Sequence, residues 1–541
     1  MNNVKKKILS KIYYGYGFRY YPKEFKKNFE LEYKFHITKK KFKIYNKKNR
    51  SIFLVSDKIK VNPNNIWNRK YFKDRENLSS LHRWTWAIKM ISEKKKLNFE
   101  EKNFIEDCIF NWCLKYSNKR IDKNDIIFEP YNISERISNY LILLELKILK
   151  PDNFVLNSLE KQFYFLIKNI EIYKFKISNH ALNNLKAIFL FSTYSKNSKI
   201  QNYSFKFIIF ILKKFLDRNC FFKFGSSNYQ FIFAKWISDI LLFSRCFKGK
   251  DIKLIQNKFK KILCTLNFFL QIDKKNNKTI PLFGNISPDL SNRWIVDFFF
   301  NKKKNFFSKK YWQNLNYIFP NQKILSKEWI KVQNKKFAIF CRNPKLIGFD
   351  FNHSHNDFFN FELFCNGRKI ILNPGRENYS FKSLIRDISG DSHNSFKINN
   401  KPVYDEFLFY KPLSRIGVKK IQDCNYKVET NYKNYIKLNS LEKNYNIIRE
   451  IFLYNNNVIV KYRIKTKKKS DIRLRFNLSL TKAEFKKKKD LKILYSSDLK
   501  NKTNLNNRKF YENYGKSYIG RELTYNFKNI DKLNSTLKVI G

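Results

Sequence analysis

The sequence predicts an α+β chain of several domains in which an all-helical part precedes an antiparallel β-sandwich. Two periodicities and their order carry this expectation. Apolar residues recur with helical spacing from residue 78 to 322 and alternate with a period of two from 323 to 541. Because helices come first and strands afterwards, the order builds no βαβ units and therefore no doubly wound sheet.

Residues 1–77 mix aromatic and lysine-rich pieces and read as a lead-in segment, partly helical, with no function assigned to it. In the helical part, Ile137, Tyr140, Leu141 and Leu144 follow the i, i+3, i+4, i+7 template, as do Phe233, Trp236, Ile237 and Ile240. The stretches "ISERISNYLILLELKIL", "ALNNLKAIFLF", "YSFKFIIFILKKFL" and "FIFAKWISDILLF" are separated by short polar links, which predicts packed antiparallel helix pairs. In the second part, Val458, Val460, Tyr462 and Ile464 alternate with polar or outward positions. Ile472, Leu474, Phe476, Leu478 and Leu480 then do the same, as strands with one buried face do. "NNN" at 455–457 reads as a turn between neighbouring strands.

At 541 residues and 43% hydrophobic, the chain can fill real cores, which excludes a disordered tail protein. The formal charge of +65 would ordinarily indicate a polyanionic partner. Lysine, asparagine, isoleucine and phenylalanine are abundant throughout while glycine and proline are scarce, the usage that AT-rich coding imposes. The charge therefore permits an acidic ligand without designating one. No concentrated basic stripe or recognised module points to nucleic acid. Eight cysteines form no CxxC pair and no regular spacing, so neither a zinc ribbon nor a disulfide framework is expected. The N-terminus is basic but lacks the apolar core and cleavage site of a secretory signal, and no run reaches the length of a membrane span, so the chain reads as soluble.

Chemistry concentrates in a few places. "NHSHND" carries two of only six histidines, His353 and His355, with Asp357 two further on. As the head of a strand, alternation would put these three on one face, continued by Phe359, Phe361 and Leu363. By itself the pattern admits a metal site, an acid/base site or three hydrogen-bonded polar residues. "DSHNSFKIN" adds His393, and "ILNPG" adds Asn373 beside a Pro-Gly turn. In the helical part, Asn179 and His180 stand at a predicted helix start with Ser178 or Asn179 as N-cap. "FFKFGSSNYQF" is a Gly-Ser-Ser-Asn loop ending at Tyr229 just before a helix.

Together these pieces resemble the heparinase II/III family of polysaccharide lyases, which includes related alginate lyases. The family's β-domain signature, approximately GHxHxDxxSFxLxxxGxxLLxDPG followed by a tyrosine, an arginine and an HN pair, is matched by "NHSHNDFFNFELFCNGRKIILNPGRENYS", Arg386 and "SHNSF". "YNISERISNYL", "NHALNNLKAIFLF" and "GSSNYQ" resemble the helical half. The resemblance runs from about residue 78 to 541, and four of the six histidines fall on its motif positions.

The resemblance implies an incomplete (α/α) toroid followed by antiparallel β-sheets, and β-elimination at a uronic acid within an acidic polysaccharide or oligosaccharide. It implies Tyr229 as the catalytic phenol and His180 as a second base, with Asn179 and His353 neutralising the substrate carboxylate. His355, Asn373 and His393 occupy positions of a structural zinc, and Arg376 and Arg386 are placed by proximity as substrate-binding. The family is typically periplasmic or secreted in bacteria. Three positions depart from the pattern: Asn352 stands for glycine, Asn360 for serine, and Asn373 for the zinc aspartate. A neutral amide is a weaker zinc ligand than a carboxylate. The rival reading is a non-catalytic glycan-binding or assembly protein of surface polysaccharide production with the same fold.

Overall fold

The computed structural model describes residues 49–541 apart from 69–71, 73, 174–175, 246, 304, 318–319, 321–323, 347–352, 405–422 and 480–490. Most of the lead-in, as well as Asn352 and Leu480, therefore lies outside the described residues. What is described of the lead-in includes a hairpin, β1 (Arg50–Phe53) with β2 (Lys58–Val61). The chain divides into two compact units, each gathered from separate segments. One takes residues up to Lys214, Ala234–Phe259 and Asn301–Ile318; the other takes Phe215–Phe233, Lys260–Phe300 and Phe319–Gly541.

The first unit is helical. Its complete helices are α1 (Arg75–His82), α2 (Thr85–Ser92), α3 (Phe99–Tyr116), α4 (Pro130–Glu145), α5 (Asn153–Lys168), α6 (Asn179–Tyr194) and α11 (Phe306–Leu315). Helices α7 (Ser198–Phe215), α8 (Ser227–Phe243) and α9 (Lys250–Phe269) are divided between the units, and α10 (Asn292–Phe300) belongs to the second. Local chemistry sets the starts. Asn98 and Glu101 form a capping box at α3, Asp152 accepts from Val155 N at α5, and Pro130 opens α4, where its missing N–H costs nothing.

The helix α4 is buried from Pro130 to Leu143, so its polar residues need partners, and α6 supplies those of Ser134 and Glu135. Asn184 Nδ2 donates to Ser134 Oγ at 2.9 Å, and Lys186 Nζ pairs with Glu135 Oε1 at 2.9 Å. Helix α6 begins at Asn179, where the sequence puts it. Ser178 holds the N-cap position, yet its Oγ makes no cap bond, unlike the expected simple capping.

The second unit contains one antiparallel network of 13 strands among the described residues. In chain order these are β3 (Trp329–Gln333), β4 (Phe337–Arg342), β5 (Phe361–Cys365), β6 (Arg368–Ile371), β7 (Phe396–Ile398), β8 (Lys401–Pro402), β9 (Tyr426–Thr430) and β10 (Tyr435–Glu442). They continue with β11 (Tyr445–Leu453), β12 (Asn457–Leu478), β13 (Lys492–Ser497), β14 (Lys502–Asn513) and β15 (Lys516–Ile540). The main path runs β9-β10-β11-β12-β6-β5-β4-β3.

Both alternating stretches read from the sequence lie on the single strand β12. Its first half pairs with β11 and with the end of β15; after a register shift near Ser470, its second half pairs with β7 and with residues 521–527 of β15. The turn at 455–457 is present, with Tyr454 N donating to Asn457 O at 2.9 Å. The inward positions Val458, Val460, Tyr462, Ile464, Ile472, Leu474, Phe476 and Leu478 join Ile339, Phe361, Leu363, Leu537 and Val539 in one core.

One local expectation is corrected. Residues 353–360 are not the head of a strand, because β5 begins only at Phe361. Phe359 takes a left-handed φ of +59°, which breaks any extended alternation, and every residue from His353 to Asn360 is buried rather than every second one.

Candidate functional site

The loop before Tyr229 is fixed by its own small polar side chains. Ser226 Oγ donates to Asn285 O (2.6 Å), Ser227 Oγ to Pro281 O (2.6 Å), and Asn228 Nδ2 to Asn292 Oδ1 (2.5 Å). Gly225, at φ +66°, carries no Cβ where one would lie 2.8 Å from the Arg342 guanidinium. This bracing starts α8 at Ser227 and places Tyr229 in its first turn, with Tyr229 N donating to Ser226 Oγ at 3.2 Å.

The Tyr229 ring stacks on the imidazole of His353, centroids 3.6 Å apart and planes 19° apart. Its hydroxyl lies 3.5 Å from that of Tyr379. The His353 backbone is held by Asn285 N, which donates to its carbonyl at 2.8 Å. Gly284 lets the two segments approach, since a Cβ there would meet His353 O at 2.4 Å. Two members of the motif set, far apart in sequence, are thus in ring contact.

The rest of "HSHND" forms a buried polar network. Arg342, fully buried, donates to Gly225 O (2.9 Å), Asp357 Oδ2 (3.0 Å) and Ser354 Oγ (2.6 Å), and its Nε lies 3.3 Å from Glu328. Asn360 Nδ2 donates to Asp357 Oδ1 (3.1 Å) and Asn373 Oδ1 (2.7 Å). His393 Nδ1 donates to Asn373 Oδ1 (2.9 Å), and His355 Nε2 meets Asn285 Oδ1 (2.8 Å). Asn394 completes the network through Asn360 Oδ1, Phe361 O and Leu372 O. Burial pulls His355 well below the ordinary imidazole range and His393 down to about 4, so both rings are neutral at physiological pH.

His355, Asn373 and His393 are therefore neighbours, with the two imidazole centroids 5.3 Å apart. Each imidazole keeps one buried nitrogen without a hydrogen-bond partner among the described residues, His355 Nδ1 and His393 Nε2. Asn373 Oδ1 is neutral and already accepts from Asn360 and His393, while His355 Nε2 is engaged by Asn285. Among the described residues, no group of three His, Cys, Asp or Glu side chains is arranged to hold a metal.

Arg376 is fully buried beneath the ring of Tyr379, with its guanidinium carbon 5.0 Å from the ring centroid. Arg386 is committed to Glu377 (2.6 Å) and Asp387 (2.8 Å), whose carboxylates offset its charge. Asn179 and His180 belong to the helical unit. There His180 Nδ1 donates to Glu171 Oε1 at 2.9 Å, and its ring lies 4.7 Å from that of Tyr131. Sequence reading missed Arg342, Glu171, Tyr379 and Asn285. Tyr379 alone carried a signal, as the tyrosine that follows the Pro-Gly turn.

A helical unit and an extensive antiparallel sheet unit define a fold shared with solved polysaccharide lyases. The crystal structure of heparinase III matches with a TM-score of 0.64 and 14% identity, covering 88% of this chain and 79% of that one. A mutant of the heparan sulfate lyase HepC from Pedobacter heparinus matches with a TM-score of 0.54 and 14% identity, covering 99% of this chain and 89% of that one. The family model "Heparinase II/III-like, C-terminal" matches residues 327–514. A curated relative, Protein Ycf2 of Physcomitrium patens, is 26% identical over 98% of this chain, which spans 25% of that protein's length.

Proposed function

We propose that this protein is a polysaccharide lyase that cleaves a uronic-acid-containing acidic polysaccharide by β-elimination. The observation that carries the reading is the Tyr229–His353 pair: a phenol stacked on an imidazole, its hydroxyl beside a second phenol, held by a loop whose polar side chains are all engaged. Binding alone does not require a phenol so placed.

In the reaction, a base takes the proton from C5 of the uronate. The electron pair of that C–H bond forms the C4=C5 double bond, the C4–O4 bond breaks, and O4 receives a proton. Negative charge grows on the carboxylate as the C5 proton leaves, so donors aimed at that group lower the barrier. Tyr229 is assigned the proton transfer to O4, and His353 the carboxylate. Asn179 and His180 keep the roles that the resemblance gives them, as second carboxylate donor and second base. Donation from His180 Nδ1 to Glu171 leaves Nε2 with its lone pair, the form a base needs. No step is routed through a metal.

The test is incubation of the purified protein with a panel of uronate polysaccharides, following near-ultraviolet absorbance of the unsaturated product. A rise with at least one polymer is expected. Binding to a uronate polymer with no unsaturated product across the panel would favour the glycan-binding alternative.

A further inference from the structure

The sheet unit holds three fully buried arginines whose environments differ sharply. Arg342 donates from its two terminal nitrogens to Gly225 O, Asp357 Oδ2 and Ser354 Oγ, and its Nε lies 3.3 Å from Glu328 Oε1. Arg449 donates from Nη1 to Asn394 O at 2.8 Å, while its Nε and Nη2 have no hydrogen-bond partner among the described residues and its guanidinium lies against the rings of Tyr462 (4.7 Å), Phe361 (5.2 Å) and Phe396 (6.0 Å). Arg376 has one ring, Tyr379, and none of its three guanidinium nitrogens has a hydrogen-bond partner among the described residues. A buried guanidinium left in this state is one of the least favourable features a fold can carry, unless something supplied from outside completes it.

The acids nearest to Arg376 are already engaged. Asp387 is close enough for the Arg376 charge to lower its pKa, against a larger upward push from burial. Its oxygens are nonetheless taken by Arg386 and by Glu377 N (2.9 Å), and Glu377 itself pairs with Arg386. The position of Arg376 is also enforced. Tyr511 N donates to Pro374 O (2.7 Å) and Gly515 N to Arg376 O (3.2 Å), and between them Gly375, at φ +78°, leaves room for Tyr511 O where a Cβ would sit 1.8 Å away. The fold thus fixes the backbone that presents an unpaired guanidinium. It covers that guanidinium with Tyr379, which is 38% exposed and whose hydroxyl lies beside that of Tyr229.

We infer that Arg376 is the receiving point for an oxyanion carried by the sugar, a carboxylate or a sulfate. The planar fork of a guanidinium binds either through two parallel hydrogen bonds. That the anion sits on a sugar rests on the proposed function; the anion site itself does not.

The experiment is calorimetric titration of the full chain with glucuronate, with glucose 6-sulfate and with glucose as neutral control, comparing wild type with Arg376→Met and Arg376→Lys. At least one anionic sugar is expected to bind wild type saturably and about tenfold or more weakly to both variants, because lysine keeps the charge but not the fork. Glucose should not distinguish the three proteins. Which anionic sugar binds tells carboxylate from sulfate. Arg376→Met should melt at or above the wild-type temperature, since it removes an unpaired buried charge. Equal binding of both anions to wild type and Arg376→Met, or no anion binding by wild type, would overturn the inference. So would a lower melting temperature for Arg376→Met without any change in anion affinity. A protein that binds glucuronate through Arg376 yet cleaves no polymer would keep the inference and remove the lyase reading; active lyase with Arg376→Met unaltered in rate and affinity would do the reverse.

Discussion

Glu171 holds His180 by a 2.9 Å hydrogen bond from Nδ1, and is itself fixed by Asn184, whose Oδ1 accepts from Glu171 N at 2.8 Å. A carboxylate in that position selects the tautomer and orientation of the imidazole. If His180 is a working base, Glu171→Ala should lower kcat by about tenfold or more with little change in KM. In a His180→Ala background the same change should do nothing further, an outcome that steady-state kinetics on the four proteins would show and that a merely structural Glu171 would not give. Glu328 makes a prediction about stability. Burial outweighs the attraction of Arg342 and pushes its carboxyl up to about 7. Between pH 4.5 and 7 the folded carboxyl keeps a proton that the unfolded one has released, so stability falls as pH rises through that window. Glu328→Gln should therefore match wild type near pH 4 and exceed it by up to about 3 kcal/mol at pH 8, read from urea unfolding at the two pH values. Neither residue was legible in the sequence. Glu171 and Glu328 sit in ordinary polar surroundings there, and their importance arises from partners brought near only by folding. Tyr229 and His353 were reachable because their motifs mark them separately; their ring contact was not.

At the scale of elements, helices were legible because burial on one stripe repeats at 3.6 residues, and α4, α6 and α8 stand where the apolar stripes lie. The segment before β5 was not. Alternating letters there imitate a strand, but Asn360, Asn394 and Asp357 replace ladder hydrogen bonds with side-chain ones, and Phe359 turns left-handed. That same network engages Asn373 Oδ1, His393 Nδ1 and His355 Nε2, atoms of the three positions implied for zinc. Protein purified without added metal should carry less than about a tenth of an equivalent of zinc by elemental analysis, whereas a stoichiometric content would show that the amide network yields to the ion. The Pro-Gly turn after β6 gives a sharper test of local geometry. Gly375→Ala places a methyl group against the Tyr511 carbonyl at a positive φ and should destabilise the protein by about 2 kcal/mol or more in denaturant unfolding.

Over the whole molecule, the order of helices before strands predicted the class of fold, and the sheet's continuity came only from structure. Two stretches of alternation that read as separate strands are one, because β12 continues past its register shift and keeps β15 as its partner on both sides of it. The charge of +65 belongs to the chain as a whole, and it is compatible with an acidic polymer as ligand. Among the described residues, no helix is long and apolar enough to cross a membrane. The central claim is that Tyr229 transfers a proton during β-elimination, and the most direct measurement compares wild type with Tyr229→Phe on a uronate polymer that wild type cleaves. Tyr229→Phe keeps the ring that stacks on His353 and removes only the hydroxyl, so folding and polymer binding should persist while formation of unsaturated product falls by about a hundredfold or more. Undiminished product formation by Tyr229→Phe would contradict it.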